Sequence, residues 1–310
     1  MNQSKLQKKG AYGILSIVIL VILAFLFIFP LYWIVTGAFK IAKEYNAVQP
    51  VWFPSVFTLD NFTRLFARCT APLWELAIPF SAMFTADKTP IMISVGPTAP
   101  AAIRWLLNTV FMAVMAMVLT CIPASMAGYA LAKKRFPGRA LLFSLIVCAM
   151  ALPKQVILIP LIKEISALGL WDNIWAVIFP TVGWPFGVFL MKQFSEGIPG
   201  EILEAARIDG ASEWRTFTTI VVDLVKPGIG ALAIFTFLNS WNDYFLQLIM
   251  LGSGNNYTIS LGIATLQAET SIDVGILMAG ATLAAIPIIA IFLAFQKYFT
   301  QGITMGAVKG

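Results

Sequence analysis

A long apolar run near the start of the chain limits what this protein can fold into. Residues 11–39 contain no charged side chain, and a helix needs about 20 apolar residues to cross a membrane. A signal peptide also follows basic residues, but its apolar region has only about 7–15 residues and ends in a small-residue cleavage site. Residues 11–39 are longer and lack such a site. We therefore expect a retained first span behind a cytoplasmic segment, residues 1–10.

The composition places the whole chain among membrane proteins. Hydrophobic residues make up 59% and charged residues 12% of the sequence, and the mean hydropathy is +0.84, values that a soluble domain rarely reaches. The net charge of +6 would suggest nucleic acid in a soluble protein. Here the basic residues flank apolar runs, so lipid is the expected surrounding and no nucleic-acid partner is expected.

The sequence gives no sign of catalysis or of metal binding. It contains no histidine, which excludes Ser-His and Cys-His catalysis and most transition-metal sites. The three cysteines (Cys69, Cys121 and Cys148) form no disulfide or metal-binding pattern. A phosphate-binding Gly-x-x-x-x-Gly-Lys-Ser/Thr loop is also absent. We expect a protein that is not an enzyme and holds no cofactor of its own.

Five further apolar segments predict six spans in all. They are residues 104–132, 141–165, 173–191, 228–251 and 274–295. A long, proline-containing segment, residues 40–103, separates the first span from a core at residues 104–299, and a tail follows at residues 300–310. Short segments rich in Lys and Arg then fall on one side, and the 252–273 loop without them on the other. The positive-inside rule places both termini in the cytoplasm and residues 40–103 outside it.

One polar stretch between two apolar runs predicts a docking surface. Residues 200–215 read as two short helices with a break at Gly210, which suits a left-handed helix end. Ser212 can cap the second helix. At helical spacing, one face of that helix would present Trp214, Phe217, Val221 and Leu224. A short amphipathic helix between spans is suited to a partner that offers a groove.

This stretch resembles the cytoplasmic coupling loop of ATP-binding-cassette (ABC) importer permeases. That family has Glu-Ala-Ala, three residues, Gly, nine residues, and then Ile-x-Leu-Pro. The residues that match at this spacing are Glu204, Ala205, Ala206, Gly210 and Ile220. Val222 and Asp223 replace the final Leu-Pro, which leaves Pro227 to end the helix.

The resemblance implies a role in energy coupling for residues 195–226. Glu204 and Arg207 would contact a groove of an ATPase subunit, beside Asp209. Ala205 and Ala206 would permit close approach, and Gly210 would make the bend. ATP and Mg would be held by that partner ATPase.

Other segments resemble the carbohydrate importers of this family, and in particular the second permease subunit of maltose-type importers. They are Trp52-Phe53-Pro54 with Leu59-Asp60-Asn61-Phe62, Ser240-Trp241-Asn242, and the tail from Gln296. The resemblance implies an all-α fold of six transmembrane helices with a coupling-helix loop. It also implies sugar import by alternating access with a second homologous permease, two ATPase subunits and an extracytoplasmic solute-binding protein.

Ionisable residues inside spans are candidates for the substrate path. Lys154 and Asp243 could face a shared aqueous path as a pair, or could simply anchor helix ends at the headgroups. Asn239, Trp241 and Asn242 lie near Asp243 and combine amides, a carboxylate and a ring, which suits a sugar. The alternative is packing against the partner permease.

Several alternatives stay open from the sequence alone. An ion-gradient-driven secondary transporter would use Lys154 and Asp243 as its coupling site, and an ABC permease could carry a solute other than a sugar. A membrane-embedded hydrolase has no visible nucleophile and base. Residues 66–100 exceed the family's usual loop and are either a partner-binding insertion or a loop elaboration.

Overall fold

The computed structural model describes residues 11–85, 89–269 and 273–307. The expectations for residues 1–10 and for the last three residues of the tail lie outside these ranges. The helices are α1 (Ala11–Ala38), α2 (Ala42–Tyr45), α3 (Asp60–Arg68), α4 (Ala101–Lys133), α5 (Arg139–Met150), α6 (Lys154–Ala167), α7 (Trp175–Val182), α8 (Pro185–Glu196), α9 (Gly200–Ile208), α10 (Glu213–Arg215), α11 (Val222–Leu224), α12 (Lys226–Asn242), α13 (Tyr244–Met250), α14 (Ile259–Glu269) and α15 (Val274–Ala307). Two strands, β1 (Thr70–Ala77) and β2 (Met92–Pro100), precede α4.

The described helices are consistent with six spans. By length and composition, Gly13–Ala38, Ala101–Lys133 and Val274–Gln296 can each cross a membrane. Three further pairs of helices are each long and apolar enough to cross a membrane if the bent pair forms one span. The bends are 102° between α5 and α6, 40° between α7 and α8, and 77° between Glu213–Leu224 and α12. Pro153 precedes α6 and Pro185 opens α8, which accounts for two of the breaks because proline cannot continue the backbone hydrogen bonds of a helix.

The described part of the chain divides into two compact units, and the first comprises residues 11–68, 266–269 and 273–283. Buried Asn61 organises it: its side-chain amide donates to the carbonyls of Ala38 (2.9 Å) and Lys40 (2.8 Å) and contacts the Tyr45 hydroxyl (3.1 Å). These carbonyls lie at the end of α1, where a helix leaves acceptors without partners. The Arg64 guanidinium contacts the Asn61 side-chain oxygen and the Asp273 carboxylate, each at 2.5 Å. The end of α1 and the start of α15 are thereby held to α3.

The second unit comprises residues 69–85, 89–265 and 284–307, and its core lies around α4. One apolar cluster includes Met112, Val177 and Ile178, and a second includes Met191 and Leu232. At Gly128 in α4, an added Cβ would lie 2.6 Å from the Lys192 backbone nitrogen. Only glycine allows α4 and α8 to approach this closely.

The strands form an antiparallel hairpin that the sequence did not predict. Thr70 pairs with Pro100 and Ala77 with Met92, with an irregularity between Pro72 and Trp74. Arg104 in α4 is fully buried and donates to the carbonyls of Pro72 (2.9 Å), Glu75 (3.3 Å) and Asn255 (2.5 Å). The fold is therefore mostly helical, as expected, with one hairpin fixed to the start of α4.

Candidate coupling segment and charged pair

The first helix of the coupling segment ends in a left-handed glycine, as the sequence predicted. Helix α9 follows Pro199 and carries Glu201 in its first turn. Gly210 has φ +74°. The Gly210 amide donates to the carbonyl of Arg207 (3.1 Å) and the Ala211 amide to that of Ala206 (3.0 Å). This pair of bonds is the Schellman motif, which satisfies the last helical carbonyls and turns the chain.

The predicted coupling residues lie together on α9 and its end. Glu204, Ala205, Arg207, Asp209 and Gly210 are exposed, whereas Ala206 is buried. Ala206 thus packs inward, and the others are accessible to a partner. Contact with an ATPase stays a prediction for these six residues.

Sequence reasoning missed the most accessible apolar side chain of the segment. Ile208 is 87% exposed and lies one turn after Glu204, so both project from the same face of α9. Trp214 of α10 is also exposed. A single isoleucine between Arg207 and Asp209 was the available signal, but nothing in the helical spacing distinguished it from a buried residue.

The second helix is built differently from the expectation. The Ser212 hydroxyl accepts from the Arg215 amide (3.3 Å) and caps α10, as predicted. Residues 216–221 then form a π-helical turn before α11. Of the four apolar residues predicted to share one face, Val221 is buried, whereas Trp214 and Leu224 are exposed, and the rings of Trp214 and Phe217 lie 6.1 Å apart. A single apolar face that includes all four residues stays a prediction.

Pro227 lies in the first turn of α12. It therefore opens this helix after the 77° bend, where its missing N–H costs nothing.

The structure brings Lys154 and Asp243 together. The Lys154 ammonium lies 2.8 Å from the Asp243 carboxylate and 3.4 Å from the Asn239 side-chain oxygen. The Lys154 side chain is 58% exposed and that of Asp243 is 15% exposed. Each residue borders a helix break, since Lys154 opens α6 and Asp243 separates α12 from α13. An ion pair at two breaks can hold two spans in one arrangement.

The other predicted path residues have different surroundings. Trp241 is 2% exposed and stacks on Phe237 with ring centroids 5.4 Å apart. The side-chain amide of Asn242 donates to the backbone carbonyl of Leu238 (2.8 Å). Asn239 therefore joins the ion pair directly, whereas Trp241 and Asn242 contact their own helix. A role in the substrate path stays a prediction for all of these residues.

The backbone of the tail is helical through Ala307. Among the described residues, no cluster of three or more His, Cys, Asp or Glu could hold a metal ion.

Membrane-length helices with a polar two-helix segment between spans are the features expected of a transport permease. Residues 124–305 match the family described as "Binding-protein-dependent transport system inner membrane component". The chain belongs to this family and is an inner membrane component of an ABC transport system, which confirms the resemblance seen in the coupling loop.

Relatives and solved structures agree with the assignment. The chain is 32% identical to the arabinooligosaccharides transport system permease protein AraQ of Halalkalibacterium halodurans, over 93% of each chain. It is also 32% identical to the maltodextrin transport system permease protein MdxG of Bacillus subtilis, over 94% of each. A crystal structure of "a bacterial ABC transporter involved in the import of the acidic polysaccharide alginate" has the same fold, with a TM-score of 0.72, 20% identity, and coverage of 94% of this chain and 98% of that one.

Proposed function

We propose that this chain is a permease subunit that moves a sugar or oligosaccharide into the cytoplasm in an ATP-driven importer. The relatives AraQ and MdxG are described as permeases for arabinooligosaccharides and maltodextrin, and both align with nearly the whole chain. The likeness therefore includes the spans that would line the path as well as the coupling segment.

The observation that supports ATP coupling most strongly is the surface of α9. Ile208 is almost fully exposed, beside exposed Glu204 and Arg207. An apolar side chain ringed by charges matches the usual anatomy of a docking site, with an apolar anchor and a polar rim. The Schellman turn at Gly210 holds this surface at the end of a short, well-defined helix.

In this proposal the chain works with separate partners. A second, homologous permease completes the pore, an extracytoplasmic solute-binding protein delivers the sugar, and two ATPase subunits bind ATP and Mg. The chain itself catalyses no reaction. Both termini and the coupling segment lie in the cytoplasm, consistent with the basic segments of the sequence.

The mechanism is alternating access. Closure of the ATPase subunits displaces the coupling segment, and the attached spans tilt between inward- and outward-facing arrangements. In this proposal Lys154, Asn239 and Asp243 face the solute, and the Lys154 ammonium lies within 3.4 Å of the Asn239 side-chain oxygen and the Asp243 carboxylate. These groups can donate to and accept from sugar hydroxyls.

Uptake by the reconstituted complex tests the proposal. Proteoliposomes that contain the complete transporter would receive ATP inside, and the binding protein with labelled arabinooligosaccharide or maltodextrin outside. We expect uptake that requires internal ATP and survives ionophores. Uptake that persists without ATP and stops with ionophores would instead identify an ion-driven carrier, and ATP-dependent uptake of only a non-sugar solute would contradict the sugar assignment.

A further inference from the structure

The basic end of α4 makes specific contacts beyond its expected role in membrane orientation. The Lys133 ammonium donates to the carbonyls of Glu196 (3.1 Å) and Ile198 (2.6 Å). Glu196 ends α8, and Ile198 lies two residues before α9. Lys133 therefore holds the chain at the point where it enters the coupling segment.

The neighbouring lysine holds the other part of the same segment. The Lys134 ammonium forms an ion pair with Glu213, at the start of α10, and lies 5.4 Å from the centre of the Tyr129 ring. The Tyr129 ring in turn packs against that of Phe217, with centroids 5.7 Å apart. Tyr129 is buried, so this contact belongs to the core of the unit.

These contacts join the start of the coupling segment and the start of α10 to one helix end. The Glu213 carboxylate also lies 3.8 Å from the Arg207 guanidinium of α9, which links the two short helices across the Gly210 turn. Gly128 lies five residues before Lys133 and allows α4 and α8 to pack backbone against backbone. The last turns of α4 thus contact the segment before α9 and at the start of α10, and are linked to α9 through Glu213 and Arg207.

We infer that Lys133 and Lys134, here named the α4 bracket, are positioning residues that transmit displacement of the coupling segment to the second span. This inference rests on the proposed function. Without the bracket, the coupling segment would stay joined to α4 by apolar packing alone, such as that of Phe217 against Tyr129. A displaced α9 could then move without moving α4.

The ion pair of Lys134 with Glu213 can be removed without unfolding the protein, so its role in coupling can be tested separately from stability. Glu213 is well exposed and Lys134 partly exposed, and such ion pairs contribute little to stability. Loss of the pair should leave the protein folded and inserted. The same loss should lower uptake per ATP hydrolysed by about fivefold, the factor that corresponds to about 1 kcal/mol.

The test measures uptake and ATP hydrolysis together in proteoliposomes with the complete transporter. The variants are Lys134→Glu, Glu213→Lys and the double exchange, with Lys134→Gln and Glu213→Gln as milder changes should a reversal impair insertion. The control is Arg135→Glu, because it makes the same charge change in the same cluster and the described part of the chain shows no ion pair between Arg135 and the coupling segment.

We expect each single change at Lys134 or Glu213 to lower uptake per ATP about fivefold, and the double exchange to restore most of it. The control should stay near the native ratio. An unchanged ratio in the single variants, an equal loss in the control, or no recovery in the exchange would overturn the bracket. A native complex without ATP-dependent uptake would instead refute the proposed function, and the two failures are thereby distinguishable.

Discussion

The ammonium of Lys154 lies 2.8 Å from the carboxylate of Asp243, although 89 positions separate the two residues in sequence. Asp243 lies at the break between helices α12 and α13, where its other carboxylate oxygen accepts a hydrogen bond from the backbone amide of Leu246 (3.4 Å). Lys154 follows Pro153 at the 102° bend. The ion pair therefore connects the breaks of two different spans.

Removal of either partner of this pair should reduce uptake. In Lys154→Ala the largely buried Asp243 carboxylate loses its counter-charge, at a cost of about 1–3 kcal/mol, between the values for exposed and buried pairs. We expect Asp243→Asn to be milder, since Lys154 stays solvated. Reconstituted uptake is the measurement, and a Lys154→Asp, Asp243→Lys exchange should recover activity lost in the single variants.

The matched control for this pair is Lys163→Ala. It removes a lysine from the same helix, α6, and Lys163 is exposed. Native uptake in both single variants at Lys154 and Asp243 would remove the pair from the transport mechanism.

The turn at Gly210 should be sensitive to backbone conformation alone. No atom lies within 4 Å of an added Cβ at Gly210, so Gly210→Ala introduces strain only through φ +74°, at about 1 kcal/mol. Gly210→Pro requires φ near −65° and destroys the turn. We expect ATP hydrolysis to continue while uptake falls, slightly for alanine and strongly for proline, and Glu204→Lys should uncouple the two as well.

Gly200→Ala is the control for that series, because Gly200 also has open space around it and is not among the glycines with positive φ. Coupled transport at the native level in both Gly210→Pro and Glu204→Lys would refute the role of this segment.

The buried amide of Asn61 should support the first unit. Asn61→Asp keeps the shape of the side chain but places carboxylate oxygens against the carbonyls of Ala38 and Lys40, which now accept from the amide. Loss of these bonds should destabilise the protein by about 1–3 kcal/mol. Thermal unfolding of the purified protein in detergent measures this, with exposed Asn46→Asp as the control. Equal midpoints in the two variants would contradict the capping role.

Glu44 provides a pH test in the segment after the first span. Hydrogen bonds from the side chain and then the backbone of Ser55 lower the pKa of its carboxyl below 4.5. A carboxyl whose folded pKa is lowered stabilises the fold above its unfolded pKa, and this contribution is lost as the pH falls through the folded value. The thermal midpoint of the native protein should therefore exceed that of Glu44→Gln near neutral pH. The two should converge below pH 4.5, and a constant difference would count against this account.

Local features of the coupling segment were predictable from sequence, and distant contacts were not. The Gly210 turn and the Ser212 cap depend on residues within a few positions of each other. The hairpin of residues 70–100 depends on Arg104, which joins it to a carbonyl 151 positions away at Asn255. No periodicity in residues 40–103 indicates such a partner.

The π-helical turn at residues 216–221 was missed for a different reason. A π turn shifts the positions of the side chains without any change in composition, so an analysis based on a 3.6-residue spacing does not reveal it. The pairing of Lys154 with Asp243 could be suggested, since charges inside spans tend to pair, but only the positions of the two helix breaks bring their side chains together.

The central claim is that α9 docks on a separate ATPase subunit, and photocrosslinking tests it most directly. A benzophenone amino acid would replace Ile208 in the complete transporter, and Phe84, which is also 87% exposed, would be replaced as the control on the expected extracytoplasmic side. After irradiation, we predict a covalent product between position 208 and the ATPase subunit, and none from position 84. Crosslinking of position 208 to the solute-binding protein or to lipid, with no ATPase product, would contradict the account.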